Sequence, residues 1–173
     1  ILDATPSSLV VQIPAGATSG PVVVETASGS DAFPGFAVLS AEEVPRAVQI
    51  GLANLGAVPR SVGVTPDGAR AFVSTDAGLS AVVVDAGAPD FLTVTSAPIA
   101  GGLNDLDVTP DGGRVYGVSR VAEKLYRASG APGPVTVLNE IAVGSEPLGV
   151  VIEPTGKRAL VATSGGEIQI WDV

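Results

Sequence analysis

The sequence contains no cysteine, no histidine and no methionine, and aromatic residues make up only 4% of it. Without cysteine there are no disulfides, and thiolate chemistry, cysteine-ligated zinc and iron–sulfur sites are excluded. Without histidine the usual metal imidazole and the usual general base near neutral pH are missing too. Charge is also scarce, at 16% of residues, and no lysine or arginine precedes Arg46. The 18 acidic and 9 basic residues give a formal net charge of −9. Such a surface repels phosphate backbones and argues against a nucleic-acid partner. No apolar run approaches the ~20 residues that span a bilayer, so membrane insertion is not expected.

What the chain does have is short apolar runs and many turn residues. Apolar residues reach 46%, with 22 glycines and 14 prolines in 173 residues. That mixture favours β-structure in a chain long enough to bury a core. No segment keeps a 3.6-residue apolar spacing for three turns, because glycine or proline interrupts every run.

One phrase is written three times. VTPDGARAFVS begins at Val64, VTPDGGRVYGV begins 44 residues later at Val108, and IEPTGKRALVA follows after another 44 at Ile152. Pro66, Pro110 and Pro154 recur at this interval, as do Gly68, Gly112 and Gly156, and Arg70, Arg114 and Arg158. Apolar residues alternate on both sides of each corner, which is a hairpin signal. Proline presets the first central turn position, Asp67 and Asp111 suit the second, and glycine supplies the positive φ that follows. The third corner keeps Pro154 and Gly156 and replaces the aspartate with Thr155. These residues therefore read as structural turns, with no metal site among them.

A third run follows in each unit: SAVVVDAG, KLYRASG and IQIWDV. Asp85 and Asp172 lie 87 apart rather than 88, which suggests a one-residue change in a connecting loop. A fourth run, FLTVTSAPIAG or VTVLNEIAVG, closes the first two units. Four short strands in about 44 residues match one propeller blade. The blades fall at about 59–102, 103–146 and 147–173, the last without its fourth strand. Ala47–Gly56 (AVQIGLANLG) reads as a further strand of the fourth type. The chain opens on Ile1 rather than Met and holds too few blades for a ring, so it is expected to be a piece of a longer protein.

Residues 1–40 do not follow the 44-residue period. They read as three strands: Leu9–Ile13, the PVVVET run, and Phe36–Leu39. An acidic linker occupies 41–46, which places a domain boundary near residue 43, and 47–173 follows as the repeat region.

IPAGATSGPVVVET, Ile13 to Thr26, with the ending Phe36-Ala37-Val38, resembles the second half of an IPT/TIG domain, an immunoglobulin-like β-sandwich. Residues 46–173 resemble YVTN-type β-propeller repeats, carried by PRSVGVTPDGARAFVS with SAVVVD, NDLDVTPDGGRVYGVS, and PLGVVIEPTGKRALVA with IQIWDV. The resemblance implies an all-β chain: a partial immunoglobulin-like sandwich followed by about three four-stranded propeller blades. It also implies an exported protein at the cell surface, outside the cell or in the periplasm.

No catalytic residue, cofactor site or metal site is expected. The expected function is a non-catalytic structural or binding module acting through protein–protein assembly or adhesion. Its partners would be other proteins, copies of itself joined by strand addition or blade completion, or a glycan. The alternative is a fragment of a lactonase-like or quinoprotein-like propeller enzyme whose active residues lie outside this chain. Asp105 and Asp107, two apart on one predicted strand face, are the candidate ligand contacts of a channel. The recurring arginines read as anchors between a turn and the next blade. Phe72, Tyr116, Tyr126 and Trp171 read as packing between blades.

Overall fold

The computed structural model describes residues 47–173 in full and, within 1–46, the backbone of four strands. Two units follow one another, Ile1–Gln49 and Ile50–Val173. In the first, β1 (Asp3–Thr5) pairs antiparallel with β2 (Ser8–Val10), and β3 (Gly20–Thr26) pairs antiparallel with β4 (Gly29–Phe36). Residues 29–35, where the sequence suggests a connection, thus form a return strand. Its Pro34 is accommodated at the register shift opposite Gly20–Val22, where the ladder is already broken. The rest of the expected Leu9–Ile13 and Phe36–Leu39 runs, and the linker 41–46, lie outside the described residues.

The second unit is a succession of antiparallel meanders. Blade 1 comprises β5 (Pro59–Val64), β6 (Arg70–Thr75), β7 (Gly78–Val83) and β8 (Val94–Pro98). Blade 2 comprises β9 (Asp105–Val108), β10 (Arg114–Ser119), β11 (Lys124–Ser129) and β12 (Val137–Ala142). Blade 3 has three strands, β13 (Pro147–Ile152), β14 (Arg158–Thr163) and β15 (Ile168–Asp172). The described residues contain no helix. Ala47–Gly56, expected as a strand, carries no strand in the structure. Gly51 instead lies against Phe91 and Leu92, so close that a Cβ there would meet Leu92 Cδ1 at 2.8 Å.

Each Pro-x-Gly corner closes in the same way. Gly68, Gly112 and Gly156 donate their N–H to the carbonyls of Thr65, Thr109 and Glu153, at 2.8 Å in each case. The three glycines hold φ of +70°, +69° and +72°, the left-handed conformation that steers the chain into the return strand. Strand register corrects one reading of the repeat. Asp172 pairs with Arg158, and the residue paired with Arg70 is Val83, not Asp85. Asp85 and Asp172 are therefore not equivalent, and the hairpin after β14 is one residue longer than that after β6, not shorter.

Because side chains alternate along a strand, each middle blade has two working faces. Leu106, Val115, Tyr126 and Ala128 face blade 1 and join Phe72, Leu79 and Ala81 in one buried cluster. Tyr116, Val118 and Leu125 face blade 3 and join Val150, Ile152, Ala159 and Val161 in a second. Phe72 is 0% exposed and supplies the largest fully buried side chain of the first junction. Burying such a ring is worth roughly 1.5–3 kcal/mol. Gly63 permits this closeness, since a Cβ there would stand 2.9 Å from Leu106 Cδ1 and 3.0 Å from Val108 Cγ2.

Candidate functional site

The chemistry-bearing residues gather at the two junctions between blades. Asp105 and Asp107 share one face of β9, as their spacing requires, and that face meets blade 3. Asp105 Oδ2 accepts the N–H of Val150 at 3.0 Å, and Asp107 Oδ2 accepts the N–H of Ile152 at 2.7 Å. Asp107 Oδ1 also accepts the N–H of its neighbour Val108 at 2.8 Å. Both carboxylates thus satisfy main-chain donors of β13, which has no strand on that side to do so. Gly149 makes room for Asp105, whose Oδ2 would lie 3.2 Å from a Cβ there.

At the corners, Asp67 Oδ1 accepts from Thr65 Oγ1 at 2.5 Å and from the Ala69 N–H at 3.0 Å. Asp111 does the same with Thr109 Oγ1 at 2.5 Å and the Gly113 N–H at 2.9 Å. The threonine bonds, then those from the main chain, hold both carboxyls below the ordinary carboxylate value. The third corner exchanges the roles, with the Thr155 hydroxyl donating to the Glu153 carboxylate. Donor and acceptor trade places while the bond itself persists. Among the described residues, no three His, Cys, Asp or Glu side chains cluster so as to hold a metal.

The three equivalent arginines diverge. Arg70 is buried and reaches from blade 1 to the loop between β11 and β12. Its Nη1 donates to the carbonyls of Gly130, at 3.4 Å, and Ala131, and its Nη2 donates to that of Gly133 at 2.8 Å. The guanidinium stands 4.9 Å from the centroid of the Phe72 ring, within cation–π range. Burial draws its pKa below the ordinary arginine value, while nearby Asp90 acts the other way. Arg70, Asp85 and Asp90 also line a cleft of about 340 Å³ with Ala81, Val83 and Pro134. Arg114 is exposed and Nη1 donates to the carbonyl of adjacent Gly113 at 2.7 Å. Arg158 is exposed as well.

Arg114 lines a second cleft, of about 580 Å³, with Tyr116, Arg127, Thr155 and Val173. The Nε of Arg127 is buried there without a hydrogen-bond partner. Sequence reasoning passed over Arg127. The available signal was a cation on a strand whose register equivalents are Ala81 and Ile170. Trp171 is half-buried against the second cluster, and its Nε1 has no partner. Gly165 and Gly166 form the turn between β14 and β15, where Gly166 holds φ +80° and bonds to Thr163 O.

No protein-family model matches the chain, and no curated relative matches it. Solved structures do resemble it. A 6-phosphogluconolactonase candidate from Bacteroides uniformis ATCC 8492 superposes with a TM-score of 0.61 at 20% identity, over 91% of this chain and 54% of that one. Hydrazine synthase from Kuenenia stuttgartiensis superposes with a TM-score of 0.56 at 23% identity, over 74% of this chain and 36% of that one. The chain therefore spans about half or less of the length of these structures. The likeness shows the fold: the meanders are blades of a β-propeller type.

Proposed function

We propose that this chain is a non-catalytic structural and binding module of an exported or cell-surface protein, and that it works through protein–protein assembly. The observation that carries the reading is a contrast at equivalent positions of the repeat. Leu79 and Leu125 are buried where one blade meets the next, at 2% and 1% exposure, whereas their equivalent Ile168 on blade 3 is 68% exposed. Val151 and Ile170 lie open on the same face. At the other end, Val62 and Val64 on β5 are exposed, although their equivalents Leu106, Val150 and Ile152 are buried.

One end of the array thus offers the face that receives a blade, and the other offers the face that is received. A further blade, of a second copy or of the same polypeptide, fits either face by the contacts that already join blades 1, 2 and 3. Sedimentation velocity across a range of concentrations tests the reading. Concentration-dependent association that is lost in the Ile168→Glu, Ile170→Glu chain is the expected result. A wild-type chain that stays monomeric throughout would overturn it. Export rests on the resemblance of the two segments to surface-protein modules, and labelling of intact source cells checks it.

The structural likeness to enzymes, together with the share of their length that is covered, supports a second reading. Here the chain is part of a lactonase-like propeller whose active residues lie outside these 173 residues. Lactone turnover by the natural full-length protein, unchanged when Asp105 and Asp107 are both replaced by Asn, is what that reading requires.

A further inference from the structure

Asp67-Gly68 and Asp111-Gly112 are the two Asp-Gly pairs of the sequence, which holds no Asn-Gly pair. Such a pair is chemically reactive, because glycine has no side chain to shield its nitrogen from the aspartate before it. When that nitrogen attacks Cγ, an N–Cγ bond forms, and the amide proton leaves with the carboxyl hydroxyl as water. A second water reopens the succinimide ring. Opening at the main-chain carbonyl leaves the chain running through Cγ, an isoaspartate of unchanged mass.

The corners hold both reacting groups out of this geometry. The N–H of Gly112 is engaged by Thr109 O at 2.8 Å. Asp111 Oδ1 accepts from Thr109 Oγ1 at 2.5 Å and from the Gly113 N–H at 2.9 Å. Ring closure requires both carboxylate bonds to break and Cγ to swing back to the Gly112 nitrogen. The same bonds, that of the threonine first, keep the carboxyl ionised, the form that has no hydroxyl to lose. Thr109 is itself buried, and its Oγ1 is fixed by the Arg114 N–H at 2.9 Å. Thr65 makes the corresponding bonds with Asp67 at 2.5 Å and the Arg70 N–H at 3.1 Å.

The third corner keeps the bond and removes the reaction. Thr155 stands where the aspartates stand and donates to Glu153, so no carboxyl precedes Gly156. The product would also be poorly tolerated. A Cβ on Gly112 would stand 3.3 Å from Pro66 Cδ, so an added main-chain atom falls where two corners already touch.

We propose that Asp67-Gly68 and Asp111-Gly112 are the sites of spontaneous isoaspartate formation in this chain, and that the Thr65 and Thr109 hydroxyls are the groups that hold them closed. The inference is independent of assembly, because every bond it uses lies within one corner.

The test is to age the chain well below its melting temperature and follow isoaspartate at each corner by peptide mapping. The Thr109→Val chain should isomerise at Asp111 about tenfold faster than wild type, the loss of one bond to a charged group, with Asp67 unchanged. Thr65→Val should do the reverse, and Thr109→Ser, which keeps the hydroxyl, should age like wild type. In urea all these chains should isomerise at one common, faster rate. Equal acceleration of both corners in either valine chain would mean general loosening and overturn the proposal. So would a serine chain that ages like the valine chain, or a folded wild type that isomerises as fast as in urea.

Discussion

Asp107 Oδ2 accepts the main-chain N–H of Ile152 across the junction of blades 2 and 3 at 2.7 Å, and Asp105 does the same for Val150 two residues earlier. Two carboxylates on one strand face therefore stand in for the backbone acceptors of a neighbouring strand. The equivalent positions in blade 1 are Ser61 and Gly63, and at Gly63 the side chains of Leu106 and Val108 pack in place of a carboxylate latch.

Removing this latch should weaken the protein at blade 3. Asp107→Ala leaves a main-chain donor of β13 without its partner and is expected to cost about 1–3 kcal/mol, with Asp107→Asn closer to the lower end. Urea denaturation of the two variants measures the difference. A cost shared equally with an exposed control such as Glu167→Ala would show that the latch contributes nothing special.

The first junction depends on a stacked pair. Phe72→Ala opens a cavity between blades 1 and 2 and should cost about 3–5 kcal/mol. Arg70→Ala forfeits hydrogen bonds from a charged donor and is expected to cost about 1.5–3 kcal/mol. Because the guanidinium lies over the ring, the two losses should not add, and a double-mutant cycle reads the coupling.

Acid sensitivity follows from the corners. Asp67 and Asp111 have folded-state pKa values below the ordinary carboxylate value. A depressed carboxyl contributes stability that is complete above its unfolded pKa, near 3.9, and is lost as pH falls through the folded value. Their contribution should therefore be constant above about pH 5 and decline below about pH 4. Asp67→Asn with Asp111→Asn should flatten that part of a melting-temperature profile.

Two glycines with similar backbone angles should respond differently to alanine. Gly68 has φ +70° and open space where a Cβ would lie, so Gly68→Ala costs only the strain of a left-handed residue, about 1 kcal/mol. Gly102 has φ +67°, and a Cβ would stand 2.5 Å from the carbonyl oxygen of Asp76. Gly102→Ala must displace backbone as well and should cost markedly more in thermal unfolding.

Much of the blade was legible in the sequence because its causes are local. Alternation of Val62 and Val64, or Leu106 and Val108, specifies a strand with two unlike faces, and a proline and a glycine at fixed spacing specify the corner between strands. The reading failed where partners are distant. Ala47–Gly56 has the composition of a strand and carries none, because a strand needs a ladder and composition does not supply one. Asp85 and Asp172 looked equivalent by spacing, and only the pairing of Asp172 with Arg158 showed that they are not.

The sequence by itself determined the repeat, the all-β class and the turn chemistry, since each rests on side chains within a few residues of one another. Tertiary structure decided what the conserved-looking positions do. Arg70 and Arg114 share one place in the repeat, yet one is buried on three carbonyls and the other faces an open cleft. Asp105 and Asp107 become donor-satisfying latches because β13 happens to lie beside them. A hydrogen bond spanning 45 residues depends on how two blades pack, and no local pattern encodes that packing.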